Sequence, residues 1–123
     1  MFQATGEKHW IIPDGYIPPT STGELLSHES ICVLNTSSEE ALIKVTIFFE
    51  DREPMEDIEV AVPARRTKHI RTSSLIKGEQ SIPVGVPYAI EVSSDIAIVV
   101  QYSRLDSTQA ANALMSTIAF PLK

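Results

Sequence analysis

The sequence predicts an all-β protein, an antiparallel β-sandwich of jelly-roll-like form, with about eight short strands in a single domain over residues 1–123. Three observations carry this. Apolar residues recur with a period of two through most of the chain, as they must when alternate side chains face a core. β-Branched residues are dense in those runs. The breaks between runs are built from Asn, Ser, Asp and Pro, which favour turns.

KHWII gives the first strand, over residues 8–12. GYIPPTSTGELL follows, with adjacent prolines and two glycines, and reads as an extended, irregular loop. SHESICVLN supplies a strand over 28–35, in which Ile31 and Val33 share a face with Glu29 and Asn35, while Cys32 and Leu34 share one with His28 and Ser30. Both faces become polar toward the ends, as in a strand that crosses a sheet from rim to rim. After the turn-like stretch from Asn35 to Glu39, ALIKVTIFFE alternates over 41–50, with Ile43, Val45, Ile47 and Phe49 facing the core. Asp51 to Pro54 reads as a turn, and EDIEVAV predicts a strand over 57–62 with Ile58, Val60 and Val62 on one face. RTKHIRT gives 66–72. Ser73 and Ser74 form a turn, and the Gly- and Pro-rich stretch 76–87 forms a loop. Two strands, 86–92 and 96–104, are separated by a turn at Ser93-Ser94-Asp95, and the last strand covers 114–120. Between them DSTQAANALMS has the composition of a helical turn, capped by Asp106 or Ser107.

A chain of 123 residues that is 43% hydrophobic can bury roughly two-thirds of the surface its unfolded form exposes. Its net charge of -6 argues against a general nucleic-acid binder, which needs surplus positive charge against phosphates. The start, MFQATGEKHW, has no apolar signal-peptide core, and a single cysteine cannot form an intramolecular disulfide. A cytoplasmic protein is expected. The longest apolar run, Ile96 to Val100, has strand length and falls far short of the about 18 residues of a membrane-spanning helix.

Catalytic and metal signatures are missing. His28 and Cys32 lie about 13 Å apart along one strand, too far for a thiol–imidazole pair. His9, His28 and His69 have no metal-motif spacing, the acidic run from Glu50 to Asp57 has no calcium-loop order, and the glycines form no phosphate loop. No cofactor and no enzymatic activity are expected. An enzyme would need an acid–base pair such as Glu29 with Asp106 across the sheets.

VPARRTKHIR stands apart, because it holds four of the ten Lys+Arg: Arg65, Arg66, Lys68 and Arg71. In an extended chain Arg65, Thr67, His69 and Arg71 point to one side, and Arg66, Lys68 and Ile70 to the other. Charges therefore leave on both sides, which suits neither a flat duplex-binding face nor a plain core strand. An edge strand guarded by cations is one reading. A partner-binding surface of Arg66, Lys68 and Arg71 is another. A third gathers Trp10, Glu29, Arg65, Arg66, Gln101 and Arg104 into a site for a small polar ligand. Trp10 would stack, Glu29 and Gln101 would bind hydroxyls or amines, and the arginines would anchor oxygens. The same residues could equally form an internal Arg–Glu network.

GYIPP (15–19), SHESICVLN (27–35), VPARRTKHIR (62–71) and QYSRLDSTQAANALMSTIAF (101–120), in this order, resemble the Anabaena sensory rhodopsin transducer family. The resemblance runs from about Trp10 to Ala119. The motif positions it covers are Trp10, Gly15, His28, Glu29, Asn35, Arg65, Arg66, His69, Arg71, Gln101, Arg104, Asp106, Gln109 and Asn112. It implies a β-sandwich assembled as a homotetramer, a membrane receptor such as a sensory rhodopsin as partner, and a sugar-like small molecule as ligand. The function it implies is that of a non-catalytic cytoplasmic signalling adaptor. The alternative is a protein-interaction or DNA-linked transcriptional regulatory module with no small-molecule pocket.

Overall fold

A computed structural model describes residues 2–19, 27–107 and 113–123. Its strands are β1 (Glu7–Gly15), β2 (His28–Asn35), β3 (Ala41–Phe49), β4 (Met55–Val62), β5 (Arg66–Arg71), β6 (Ile76–Lys77), β7 (Gln80–Ser81), β8 (Tyr88–Asp106), β9 (Ala113–Ile118) and β10 (Phe120–Leu122). One turn of 3-10 helix, Thr72–Ser74, follows β5. All pairings are antiparallel.

Two sheets share β8. Its first half pairs with β1 and β3, giving the order β10-β1-β8-β3-β4. Its second half pairs with β2 and β9, giving β9-β8-β2-β5. The inner rows meet face to face: Trp10, Val92, Val45 and Ile58 from one sheet, Ile31, Val33, Val100 and Tyr102 from the other, all buried. This is the sandwich the period-two pattern predicts.

The sequence breaks β8 at Ser93-Ser94-Asp95, but there the strand continues. Ser93 pairs with both His9 and Lys44, and Ser94 with Ile43. Asp95 is spent differently, with its carboxylate accepting the backbone N–H of Leu42 at 2.9 Å. The polar triplet marks the place where one strand leaves the first sheet for the second, so two expected strands are one. The last expected strand divides the opposite way. At Ala119, whose N–H donates to Val100 O at 3.0 Å, the chain passes from β9 in one sheet to β10 in the other. The stretch 76–87 carries the short β6–β7 hairpin in place of a plain loop. Strand β1 extends past 12 to Gly15, with a register shift between Ile12 and Gly15 where Pro13 has no N–H to give. Of the expected helical turn, 108–112 lie outside the described residues, and Asp106 and Ala113 on either side are in strands.

Each sheet has an edge at both sides of the sandwich. On one side lie β4 and β5, and on the other β9 and β10. No helix among the described residues is long and apolar enough to cross a membrane.

Candidate functional site

The core face of β2 runs Glu29, Ile31, Val33, Asn35, and all four side chains are fully buried. A buried carboxylate must be compensated, and Glu29 is. It accepts from Tyr16 N–H (2.9 Å), Arg104 Nε (2.6 Å), Tyr102 OH (2.5 Å) and Tyr88 OH. Tyr88 OH also lies 3.0 Å from Thr72 Oγ1, whose hydroxyl bonds to Glu29 O at 3.3 Å. Every partner of the carboxylate is a donor, which suits its acceptor-only, charged form. Burial, reinforced by the Glu29 charge and hydrogen bond, pushes both phenols well above the usual tyrosine range. This knot ties the loop after β1, strand β2, both ends of β8 and the 3-10 turn together.

Gly15 belongs to the same knot. A Cβ there would lie 2.6 Å from Cζ of Tyr88, so only glycine lets that ring lie against the backbone and reach Glu29. Asn35, at the other end of β2, fastens the opposite rim. Its Nδ2 donates to Glu39 O (2.8 Å) and Val62 O (3.1 Å), and its Oδ1 accepts Ser37 N–H (3.0 Å).

The six residues expected to share one ligand site do not converge. Glu29 and Arg104 meet. Trp10 is core, 4% exposed, with its indole N–H bonded to Glu7 O (2.9 Å) and Ile98 O (3.1 Å), so it has no face to offer a ligand. Arg65 and Arg66 stand at the Asn35 end of β2, about 20 Å along the strand from Glu29. Arg65, in a left-handed turn conformation (φ 58°), donates to Thr36 O at 2.5 Å and lies over the Phe2 ring at 3.7 Å. Gln101 is exposed on the outer face, in the row His69–Cys32–Gln101–Ile118. Register puts Glu29 and Gln101 on opposite faces, because Gln101 pairs with Cys32 and Glu29 with Arg104. Sequence reasoning missed Tyr88, Tyr102 and Thr72. The signal was present: Tyr102 continues the apolar face of Ile98 and Val100, and a buried phenol needs a partner.

The Cys32 thiol is pushed up by partial burial, which leaves it a weak nucleophile. His69 is its cross-strand neighbour, and the described residues hold no cluster of three or more metal-ligating side chains.

The three residues expected to bind a partner do lie together. Arg66, Lys68 and Arg71 are exposed on β5, which among the described residues pairs with β2 alone. Lys68 Nζ donates to Ala61 O at 3.1 Å and Arg66 Nη1 to Arg65 O at 3.1 Å. Among the described residues, no carboxylate forms a salt bridge with any of the three. Beside them a cleft of about 520 Å³ opens between β4 and β5, lined by Ile58, Val60, Ile70 and Leu75 with Lys68 and Arg71 at its wall.

A family model described as Anabaena sensory rhodopsin transducer matches residues 5–121. The chain belongs to this family. Among solved structures, that of Thermotoga maritima 1070 is 40% identical with a TM-score of 0.85, over 95% of this chain and 96% of that one. A structure of the Anabaena sensory rhodopsin transducer is 42% identical with a TM-score of 0.75, over 87% of this chain and 95% of that one. No curated protein matches. Parts of the blocks that carry the family resemblance meet around β2. Gly15, Tyr16, Glu29 and Arg104 belong to the buried knot, and the cations of VPARRTKHIR run along β2 from Asn35 to Ser30.

Proposed function

We propose that the protein is a non-catalytic signalling adaptor, acting in the cytoplasm, that docks onto a membrane receptor through the β5 edge. A sensory rhodopsin is the receptor class that the family name suggests. The observation that carries this is the cluster of exposed cations on β5, unneutralised among the described residues, in a chain of net charge -6. The rest of the site supports a binding role over chemistry, since the polar knot around Glu29 is spent on internal hydrogen bonds. Titration of the purified chain against a detergent-solubilised sensory rhodopsin tests it. Binding is expected to weaken as salt rises, and the paired substitution Arg66→Glu and Lys68→Glu is expected to abolish it. Unchanged binding by that variant would refute docking through this edge.

A small polar ligand is a second reading, and one atom favours it. Arg104 Nη2 is buried without a hydrogen-bond partner among the described residues and stands 4.0 Å from Asp14 Oδ1. A sugar-like hydroxyl between them would satisfy both. Thermal shift against sugars and sugar phosphates is expected to find a stabilising compound whose effect disappears in Asp14→Ala. A flat screen removes this reading.

Assembly of several copies, a homotetramer by the family resemblance, would use the other side of the sandwich. The edge strands there expose Leu114 (78%), Ile118 (58%) and Phe120 (63%), a concentration of apolar surface that water disfavours. Sedimentation of the wild type against Leu114→Glu and Ile118→Glu together is expected to show a higher species that the variant loses. DNA-linked regulation fits poorly with the acidic remainder of the chain.

A further inference from the structure

The two strands that flank the cleft are both edges, but they differ in what covers them. The backbone of β4 is guarded: Lys68 Nζ donates to Ala61 O at 3.1 Å and Lys77 Nζ to Asp57 O at 3.3 Å. These ammoniums occupy carbonyls that another strand would need. Strand β5 has less cover: among the described residues, only its last carbonyl, Arg71 O, accepts from a side chain, Ser74 Oγ at 2.6 Å. It pairs with β2 over all six residues, from Arg66↔Asn35 to Arg71↔Ser30, and with no other strand among the described residues. In an antiparallel pair, alternate residues turn their N–H and C=O away from the partner. The outer margin of β5 therefore turns a row of backbone donors and acceptors away from β2, a template for one more strand.

The side chains along that margin say what kind of strand. On its inner face β5 presents Arg66, Lys68 and Ile70, and on its outer face Thr67, His69 and Arg71. Arg66, Lys68 and Arg71 are exposed, while Ile70 is 6% exposed and turned into the cleft. A carboxylate opposite each cation would be paired across the strands, where opposite charges stabilise and like charges repel. An apolar side chain opposite Ile70 would enter the cleft between Ile58, Val60 and Leu75.

We propose that β5 accepts an extended acidic peptide segment as an added antiparallel strand, with carboxylates opposite Arg66, Lys68 and Arg71 and one apolar residue opposite Ile70. This rests on the docking reading above and specifies its partner's chemistry and conformation. Backbone hydrogen bonds supply affinity and the alternating side chains supply selection. Six paired residues give a contact about 20 Å long.

The test is fluorescence anisotropy of the full chain with dye-labelled hexapeptides. The probe is Glu-Val-Thr-Glu-Thr-Glu, which places valine opposite Ile70 in the antiparallel register. A Lys-Val-Thr-Lys-Thr-Lys control reverses the charges. A third peptide keeps the first sequence but is N-methylated at two successive residues, so that one bonding N–H is lost. The acidic probe is expected to bind and the basic one to fail. The methylated one should bind roughly tenfold or more weakly. The variant Arg66→Glu with Lys68→Glu, both exposed positions, should lose binding while its melting curve stays near wild type. Equal affinity for the methylated peptide would overturn strand addition and leave electrostatic docking intact. Binding of the solubilised rhodopsin without binding of the acidic probe would also overturn it. A change of oligomeric state in the charge-reversed variant, with no binding of the probe to wild type, would assign the edge to a second copy and refute the proposal.

Discussion

Substituting Glu29→Ala removes the acceptor on which four donors converge. Arg104 Nε, Tyr102 OH, Tyr88 OH and Tyr16 N–H would all lose a partner that itself has no exposed surface. Tyr88 keeps Thr72 as an alternative at 3.0 Å and Arg104 Nε keeps Tyr102 OH at 3.2 Å, but the mostly buried Arg104 charge loses its close carboxylate and is left with the largely exposed Asp14 at 4.0 Å. Breaking a buried ion pair from one side costs about 3–5 kcal/mol, and each orphaned neutral donor adds about 1 kcal/mol or more. A loss of about 4 kcal/mol or more is therefore expected, a large part of the roughly 5–15 kcal/mol that holds a typical domain folded. With about 2.1 cal/mol/K of unfolding entropy per residue, a chain of 123 residues loses about 15 °C in melting temperature for 4 kcal/mol. Urea unfolding monitored by the single tryptophan, at matched protein concentration, measures it. Pairing the change with Arg104→Met should recover part of the loss, since the buried cation then goes too. A cost under about 1 kcal/mol for Glu29→Ala alone would refute the claim that this carboxylate holds the end of the sandwich together.

Stability should fall as pH rises beyond about 10, the ordinary tyrosine range. Tyr88 and Tyr102 titrate higher when folded than when unfolded, so their contribution is complete below about pH 10 and is lost above it, with a slope nearing about 1.4 kcal/mol per pH unit for each. Tyr88→Phe should flatten that slope in urea titrations, and an unaltered slope would count against the assignment. Gly15→Ala should cost about 1–3 kcal/mol, because its Cβ would drive into the Tyr88 ring; a neutral result in thermal melts would mean the ring moves freely. Cys32 should react with a disulfide reagent at pH 7.5 more slowly than free cysteine, since burial raises its thiol. Faster reaction would show an activating neighbour, His69 being the one placed to act.

Much of the fold is legible because period-two alternation is a local property. Ile43, Val45 and Ile47, or Ile98, Val100 and Tyr102, announce their buried face without reference to any partner strand. The continuity of β8 was not legible. Ser93, Ser94 and Asp95 have turn composition, and only the flanking strands β1 and β3 hold them extended. The site divides in the same way. The exposed cations of β5 are evident from charge and alternation. Which distant residues meet is set by register between strands, and register assigns Glu29 to Arg104 and sends Gln101 to the opposite face. Trp10 misled for a related reason: an aromatic residue beside charges reads as a stacking platform until both acceptors of its N–H, at Glu7 and Ile98, are seen to be internal.

Residue-resolved amide hydrogen exchange of β5, with and without a saturating acidic partner, bears most directly on the docking edge. Rapid exchange at alternate amides between Arg66 and Arg71 in the free chain, against slow exchange in β2, followed by protection of those same amides on binding, is the predicted outcome. Amides of β5 that are uniformly protected before any partner is added, or that stay unprotected at saturation, would contradict it.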